Sequence, residues 1–502
     1  MRPGRERPSA IWDRLAKPSP ATTARCCEPV SPEEDGVTND LPPAVAIIGG
    51  GFSGAATAYH LARIGGDAVR ILIFEQRDAI GAGLAYSTLD PSHRVNVPAR
   101  RMTLDPDEPD QFSQWLDQND ALGDDPDAVL PDGRRFPARH LFGRYVREML
   151  EPVLASGCVR HIRSAIARVR PSTRLGWALE TSGGELYQAD VVVIATSHPP
   201  PMPPEILTGG LAGQPKFVAD PWAPGALDGI DASDRVLIVG TGLTMADVVA
   251  SLERKGHAGH ITAISRRGQR SRAHARKPVE PYGDFLTPPS RTALDLVRRV
   301  RRAVRPDRPW QGLFDCLRTQ GQGIWRALPL AERRRLIRHI RPFWDTHRFR
   351  IAPQVDALLD RRLASGSLDI YAASLRSADA DADGLHVSFK RRSGRTERQT
   401  FDAVVATTGP GHSDVLTSQP FLADLLNAGR VVVDPTGLGL PVDEKSRLLG
   451  KGGANDSLFV AGPLARGQFG ELMGLPEVTH HAVLVANGII EALSCVMASA
   501  AE

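Results

Sequence analysis

Ala44-Val45-Ala46-Ile47-Ile48-Gly49-Gly50-Gly51-Phe52-Ser53-Gly54 runs from five apolar residues straight into a glycine-rich turn. Such a run suits a strand buried on both faces of a parallel sheet. Gly49 permits the bend after it, and Gly51 lets backbone amides come close to a pyrophosphate. Gly54 lets the following helix, Ser53 to about Ile64, pack against the sheet. Phe52 and Ser53 stand at the end of this turn and are taken as cofactor contacts, and the helix N-terminus places partial positive charge on the phosphates. A second strand, Val69 to Phe74, leads to Glu75, 26 residues after Gly49, and then Gln76. An acid there accepts hydrogen bonds from a free ribose, as on FAD or NAD.

The same spacing recurs with opposite charge. Arg235 to Val239 reads as a strand, followed by Gly240-Thr241-Gly242-Leu243-Thr244-Met245, a helix to about Lys255 and a strand Ile261 to Ile264. Arg266, 26 residues after Gly240, and Arg267 stand where Glu75 stands in the first unit. Guanidinium groups suit the 2′-phosphate of NADP. The third glycine is replaced by Met245, which is expected to loosen the contact between helix and strand. The pair predicts a flavoprotein that binds FAD at Gly49, Gly51 and Gly54, and NADPH at Gly240, Gly242, Leu243 and Thr244.

Two more apolar runs, Val191 to Thr196 and Ala403 to Gly409, are each preceded by an acid, Asp190 or Asp402. The fold class expected is α/β: a Rossmann-like FAD domain (43–220 and 400–498) with a Rossmann-like NAD(P) domain and helical insertion (221–399) set into it. On this reading the first domain resumes near Phe401. Residues 1–42 read as a disordered leader. Pro199-Pro200-Pro201-Met202-Pro203-Pro204 is a stiff connector.

Composition narrows the partners. Hydrophobic content of 42% and charged content of 24% over 502 residues are those of a globular protein, and a net charge of +3 implies no nucleic acid. No apolar run reaches the ~20 residues of a membrane span. Cys26, Cys27, Cys158, Cys316 and Cys495 make no CxxC pair, so neither a dithiol centre nor a metal site is expected, and a cytoplasmic location fits. The oligomeric state is left open, a homo-oligomer included.

Three further segments carry polar groups suited to a flavin or substrate. Gly81 to Ser87, with Gly83 and Leu84, precedes His93-Arg94-Val95-Asn96, where Asn96 is taken as a cofactor contact and ordinary loop hydrogen bonds are the alternative. Gly462 to Pro476, with Gly474 and Leu475, leads into a helix from about Pro476 to Leu493 whose N-terminus suits the negative charge of reduced flavin. Phe343 to Arg350 is either a buried ion-pair cluster or an anion site in which Arg348 or Arg350 binds substrate and His347 moves a proton.

Gly-Gly-Gly-Phe-Ser-Gly-Ala from Gly49, Gly-Thr-Gly-Leu-Thr-Met-Ala-Asp from Gly240, Ile-Ser-Arg-Arg-Gly from Ile264 and Trp-Asp-Thr-His-Arg from Trp344 resemble the FAD/NAD(P)-binding family. That family includes FAD-dependent urate hydroxylases and nitrosuccinate-forming L-aspartate N-monooxygenases. The resemblance spans nearly everything after residue 43 and covers Met245 as well. It implies FAD, NAD(P)H, O₂ and a small-molecule substrate, with amine N-hydroxylation or urate-like hydroxylation as the leading reactions. A plain flavin dehydrogenase and a non-catalytic redox sensor are the alternatives. Gly462-Pro463 stands where related flavoproteins carry Gly-Asp, so another group must replace that carboxylate. The FxGxxxHxxxW pattern of Baeyer–Villiger enzymes is absent.

Overall fold

The computed structural model describes residues 41–172, 176–196, 199–409 and 415–501. The expected leader, with Cys26 and Cys27, lies almost wholly outside them.

Two sheets organise the chain. The first runs, edge to edge, Arg447–Gly450, Gly453–Val460, Val191–Ile194, Ala44–Ile48, Arg70–Phe74 and Val159–Ile162. Ala44–Ile48 pairs in parallel with neighbours on both sides, and each of its residues is buried. Helix Phe52–Gly65 covers one face and packs along the helix Leu475–Ala501. A three-stranded antiparallel meander, Ile166–Pro171, Trp177–Thr181 and Leu186–Ala189, fills the connection to Val191–Ile194.

The second sheet repeats this plan. Val236–Val239 lies between Ile261–Ser265 and Ala403–Ala406, all parallel. Phe217–Val218 flanks Ala403–Ala406. On the other side Leu368–Asp381 continues into a meander with Gly384–Arg391 and Thr396–Phe401. Ala403–Ala406 therefore belongs to the second sheet, not to the resumed first domain. Its apolar composition suited either sheet; its pairing with Val236–Val239 decides.

The two acids explain the repeat. Ala44 N donates to Asp190 Oδ2 at 2.7 Å, and Arg235 N donates to Asp402 Oδ2 at 2.7 Å. Each carboxylate thus fixes the start of the central strand from the turn before its neighbour, which sets the register of the strand carrying the glycine turn. Arg235 Nε and Nη2 also bind Asp402, at 3.0 and 2.9 Å.

Two connectors join the modules, one before Phe217 and one after Ala406. They are tied together where Thr408 Oγ1 donates to Met202 O at 2.9 Å.

Candidate functional site

Both glycine turns adopt the conformation that their sequence demands. Gly49 has φ +103° and Gly240 φ +124°, which strain any other residue. A Cβ on Gly49 would stand 2.7 Å from Ala195 O, and one on Gly240 would press on Thr407 O. In each module the turn thus passes against the end of the neighbouring strand. Gly54 is closed off by Gly49 O, whereas Gly51 has only Gly83 Cα nearby, at 3.6 Å. Met245, in place of a third glycine, is fully buried. The first turn of its helix is slightly open: Ala246 N to Gly242 O is 3.3 Å, against 2.9 Å for Ala55 N to Gly51 O.

Glu75 accepts from Gly50 N and Arg77 N, both at 3.1 Å. Each of its oxygens retains a lone pair for a ribose hydroxyl. Gln76 is exposed beside it. Thr196 Oγ1, next to the turn, is buried with no hydrogen-bond partner among the described residues. An uncrowded Gly51, a helix N-terminus and an orphaned hydroxyl at one place fit a dinucleotide pyrophosphate and its ribose.

A cleft of about 670 Å³ runs from this turn to the second module. Gly49, Gly51, Phe52, Ser53, Gly83 and Leu84 line one part. Asn96, Leu243, Thr244, Gly474 and Leu475 also reach it, as do Arg348 and Arg350. Gly54, Gly240, Gly242, Gly462, Arg266 and Arg267 do not line it. Gly54 lies behind the turn, and Pro463 reaches the cleft where Gly462 does not. Arg266 is exposed just beyond the strand Ile261–Ser265, and Arg267 lies over the Phe343 ring at 5.2 Å.

Polar contacts close the seam between the modules beside this cleft. Arg139 Nη2 donates to Asp247 Oδ1 at 2.9 Å, and Arg254 Nε to Asp90 Oδ1 at 2.9 Å. Ser251 Oγ donates to Asp90 at 2.7 Å and so accepts from His93 Nε2 at 2.9 Å. Burial keeps His93 neutral by lowering its pKa. His93 thus makes a seam contact, as Arg94 makes an ion pair with Asp125 at 2.7 Å. Asn96 O accepts from His274 Nε2 at 2.9 Å.

The segment 343–350 divides. Arg348 is buried against Glu471, with Nε to Oε1 at 2.8 Å, and Glu477 lies 3.7 Å away. Burial pulls its pKa down against the pull of Glu471. Arg350 binds Asp315 at 3.1 Å and Gln311 O at 3.0 Å, but its buried Nε has no acceptor. His347 is not in the cleft lining. Its Nδ1 faces Phe343 O at 2.7 Å, and its ring stacks on Phe314 at 4.9 Å. Sequence reasoning missed Arg318, which pairs with Glu477 at 2.7 and 2.6 Å. Burial opposes the charge of Arg318, yet Glu477 overrides it and raises the pKa. A Cβ on Gly474 would stand 2.5 Å from both Arg348 Nη2 and Glu477 Oε2, and 2.6 Å from Arg318 Nη2. Gly474 is what allows this guanidinium–carboxylate lattice to reach the cleft wall.

Residues 46–199 match the family model described as FAD-NAD(P)-binding. The fold is that of the FAD/NAD(P)-binding flavoproteins. Among solved structures this chain is similar to the reduced form of ornithine hydroxylase from Pseudomonas aeruginosa, at 17% identity and TM-score 0.60, covering 90% of this chain and 100% of that one. It is similar to ornithine N-hydroxylase from Kutzneria sp. 744, at 16% and 0.59, covering 91% and 100%. It is also similar to the cadaverine monooxygenase of Erwinia amylovora, at 14% and 0.59, covering 91% and 95%. A search of curated proteins finds no match. Among the described residues no helix is long and apolar enough to cross a membrane.

Proposed function

We propose that this flavoprotein is an FAD-dependent, NADPH-using monooxygenase that N-hydroxylates a small polar amine, with L-aspartate, converted to nitrosuccinate, as the favoured substrate. One observation carries the reading: a single cleft is lined by the first glycine turn, by Leu243 and Thr244 of the second unit, and by Arg348, Arg350 and Gly474. A dinucleotide on each turn would meet there. Bound FAD supplies reduction by NADPH and activation of O₂. The N-hydroxylating neighbours share the fold, and the Kutzneria structure holds reduced FAD, NADP⁺ and L-ornithine.

The protein's own groups do the rest. Gly49, Gly51, Ser53 and Glu75 hold FAD; Gly240, Gly242, Arg266 and Arg267 hold NADPH. Gly474 and Leu475, at the start of the helix Leu475–Ala501, set partial positive charge at the cleft wall. Phe52, Tyr86, Met102 and Trp222 line the cleft and keep water from it. Arg350, at the cleft wall, offers positive charge to a substrate carboxylate, and Arg348 supports the wall. His347, turned into aromatic rings, has no proton-transfer role in this reading.

The test is NADPH consumption by the FAD-loaded protein across amino acids, diamines and urate, with peroxide and hydroxylamine or nitro product measured. Stimulation by an amine with product and little peroxide supports the reading. NADPH use without oxygenated product from any amine points to a dehydrogenase and overturns it.

A further inference from the structure

Residues 275–281, Ala-Arg-Lys-Pro-Val-Glu-Pro, form a strap between two cavities. One is the cleft described above; the other is wider, about 1450 Å³. Ala275, Lys277, Pro278 and Val279 line both. The strap is fixed at its ends. His274 Nε2 donates to Asn96 O just before it, and Tyr282 N donates to Gly312 O at 3.3 Å just after it. Between these points Pro278 and Pro281 have no N–H, and among the described residues none of the other five amides donates a hydrogen bond. One bond reaches the strap backbone, from Arg134 Nη2 to Arg276 O at 3.1 Å. No residue of the strap is buried. A segment held so sparsely opens at low cost.

The wider cavity is lopsided in charge. Its carboxylates are mostly spent: Asp132 on Arg134 at 2.8 Å, Asp356 and Asp360 on Arg270 at 3.1 and 2.5 Å. Arg272, Arg276, Lys277 and Arg308 also line it, are exposed, and make no ion pair among the described residues. Of the lining carboxylates only Glu280 is left to answer them. Arg276 and Lys277 stand on the strap itself, beside its free amides, and Arg308 lies over the Tyr282 ring at 5.5 Å. Cations together with unengaged backbone N–H groups are the donor set that phosphate oxygens take. Four cations exceed what a single carboxylate neutralises, so a multiply charged anion fits better. Neither glycine turn lines this cavity, nor do Arg266 and Arg267.

The strap also rests on the helix Trp310–Thr319. A Cβ on Gly312 would stand 2.6 Å from Glu280 O and 2.9 Å from Val279 Cγ1, so glycine there lets the strap lie against the helix. The same helix carries Asp315 and Arg318, both in the wall of the cofactor cleft. We propose that the wider cavity is an effector site for a phosphate-bearing small molecule, whose binding by Arg272, Arg276, Lys277 and Arg308 orders the strap and with it one wall of the cofactor cleft. The inference goes beyond the proposed function and uses none of its oxygen chemistry.

The experiment is isothermal titration calorimetry of the FAD-loaded protein with inorganic pyrophosphate, for wild type, Arg308→Gln and the double variant Arg272→Gln/Arg308→Gln. Hydrogen exchange of residues 275–281 and 310–319 is followed in parallel. Wild type is expected to bind pyrophosphate, more weakly as salt rises. Loss of a charged hydrogen bond should weaken binding roughly 10-fold in Arg308→Gln, and further in the double variant. Exchange across the strap should slow on saturation, and that of the helix with it. No binding by wild type, equal affinity in wild type and both variants, or strap exchange that pyrophosphate leaves unchanged overturns the proposal. NADP⁺ displacing pyrophosphate one for one, with a raised KM for NADPH in the double variant, assigns these cations to the coenzyme and also overturns it. Should the double variant fail to fold, Arg308→Gln and Arg276→Gln decide by the same affinities. Binding and exchange involve no oxygenation, so a failed N-hydroxylation reading leaves their result standing. N-oxygenated product from a protein that does not bind pyrophosphate rejects this inference alone.

Discussion

The Gly462 amide donates to Nδ1 of His481 at 3.1 Å, across 19 residues of loop and helix. Ser446 Oγ donates to Val460 O at 2.6 Å and therefore accepts from His481 Nε2 at 3.1 Å. The hydrogen-bond network assigns the neutral tautomer with its proton on Nε2. An imidazole thus anchors the Gly462 end of the loop that reaches the cleft at Pro463.

Burial pushes the His481 pKa down to about 3. A group whose folded pKa lies below its unfolded value, near 6.5, costs nothing above pH 6.5. It then destabilises progressively as pH falls, because the unfolded chain takes up the proton and the fold does not. The slope approaches about 1.4 kcal/mol per pH unit below 6. Urea unfolding at pH 7.5 and 5.5 should show wild type losing more stability than His481→Gln over that interval. Parallel losses would remove His481 from the account.

Gly51→Ala and Gly54→Ala separate ligand from fold. Gly51 has φ −68° as helix N-cap, and a methyl group there meets only Gly83 Cα at 3.6 Å. That variant should fold with an unchanged melting temperature and lose yellow colour, since on the proposed reading the methyl group would meet only the pyrophosphate. Gly54→Ala collides with Gly49 O and should lose both. A fully flavinylated Gly51→Ala protein would reject the FAD reading of this turn.

Arg266 is exposed and makes no ion pair among the described residues, so removing it disturbs little structure. Arg266→Ala should raise the KM for NADPH roughly 10-fold while moving that for NADH less than about twofold. Arg267→Ala should add a smaller, less selective effect because Arg267 also covers Phe343. Steady-state kinetics with both coenzymes decide; equal shifts would exclude a phosphate contact.

Arg348→Ala leaves Glu471 buried without its partner, which costs about 3–5 kcal/mol. The melting temperature should drop clearly, and Arg348→Ala combined with Glu471→Gln should recover part of the loss. A single variant as stable as wild type would show that the pair contributes nothing.

The glycine turns were legible because positive φ and close strand contact leave few residue types that work there. Asp190 and Asp402 stood out as acids before apolar runs, but their task depends on Ala44 and Arg235, far away in sequence. Ala403–Ala406 does not announce its sheet, because four small apolar residues encode burial and not a partner. The carboxylates that engage Arg348 and Arg318 lie 123 and 159 residues from them, beyond any local pattern.

The bond from Thr408 to Met202 has a practical consequence. The chain departs for its second Rossmann unit and comes back at the same spot, so everything between can be excised and the cut ends spliced with a few residues. Closing so narrow a gap costs little loop entropy. The first module is thereby open to study as a standalone protein, with its cleft missing one wall.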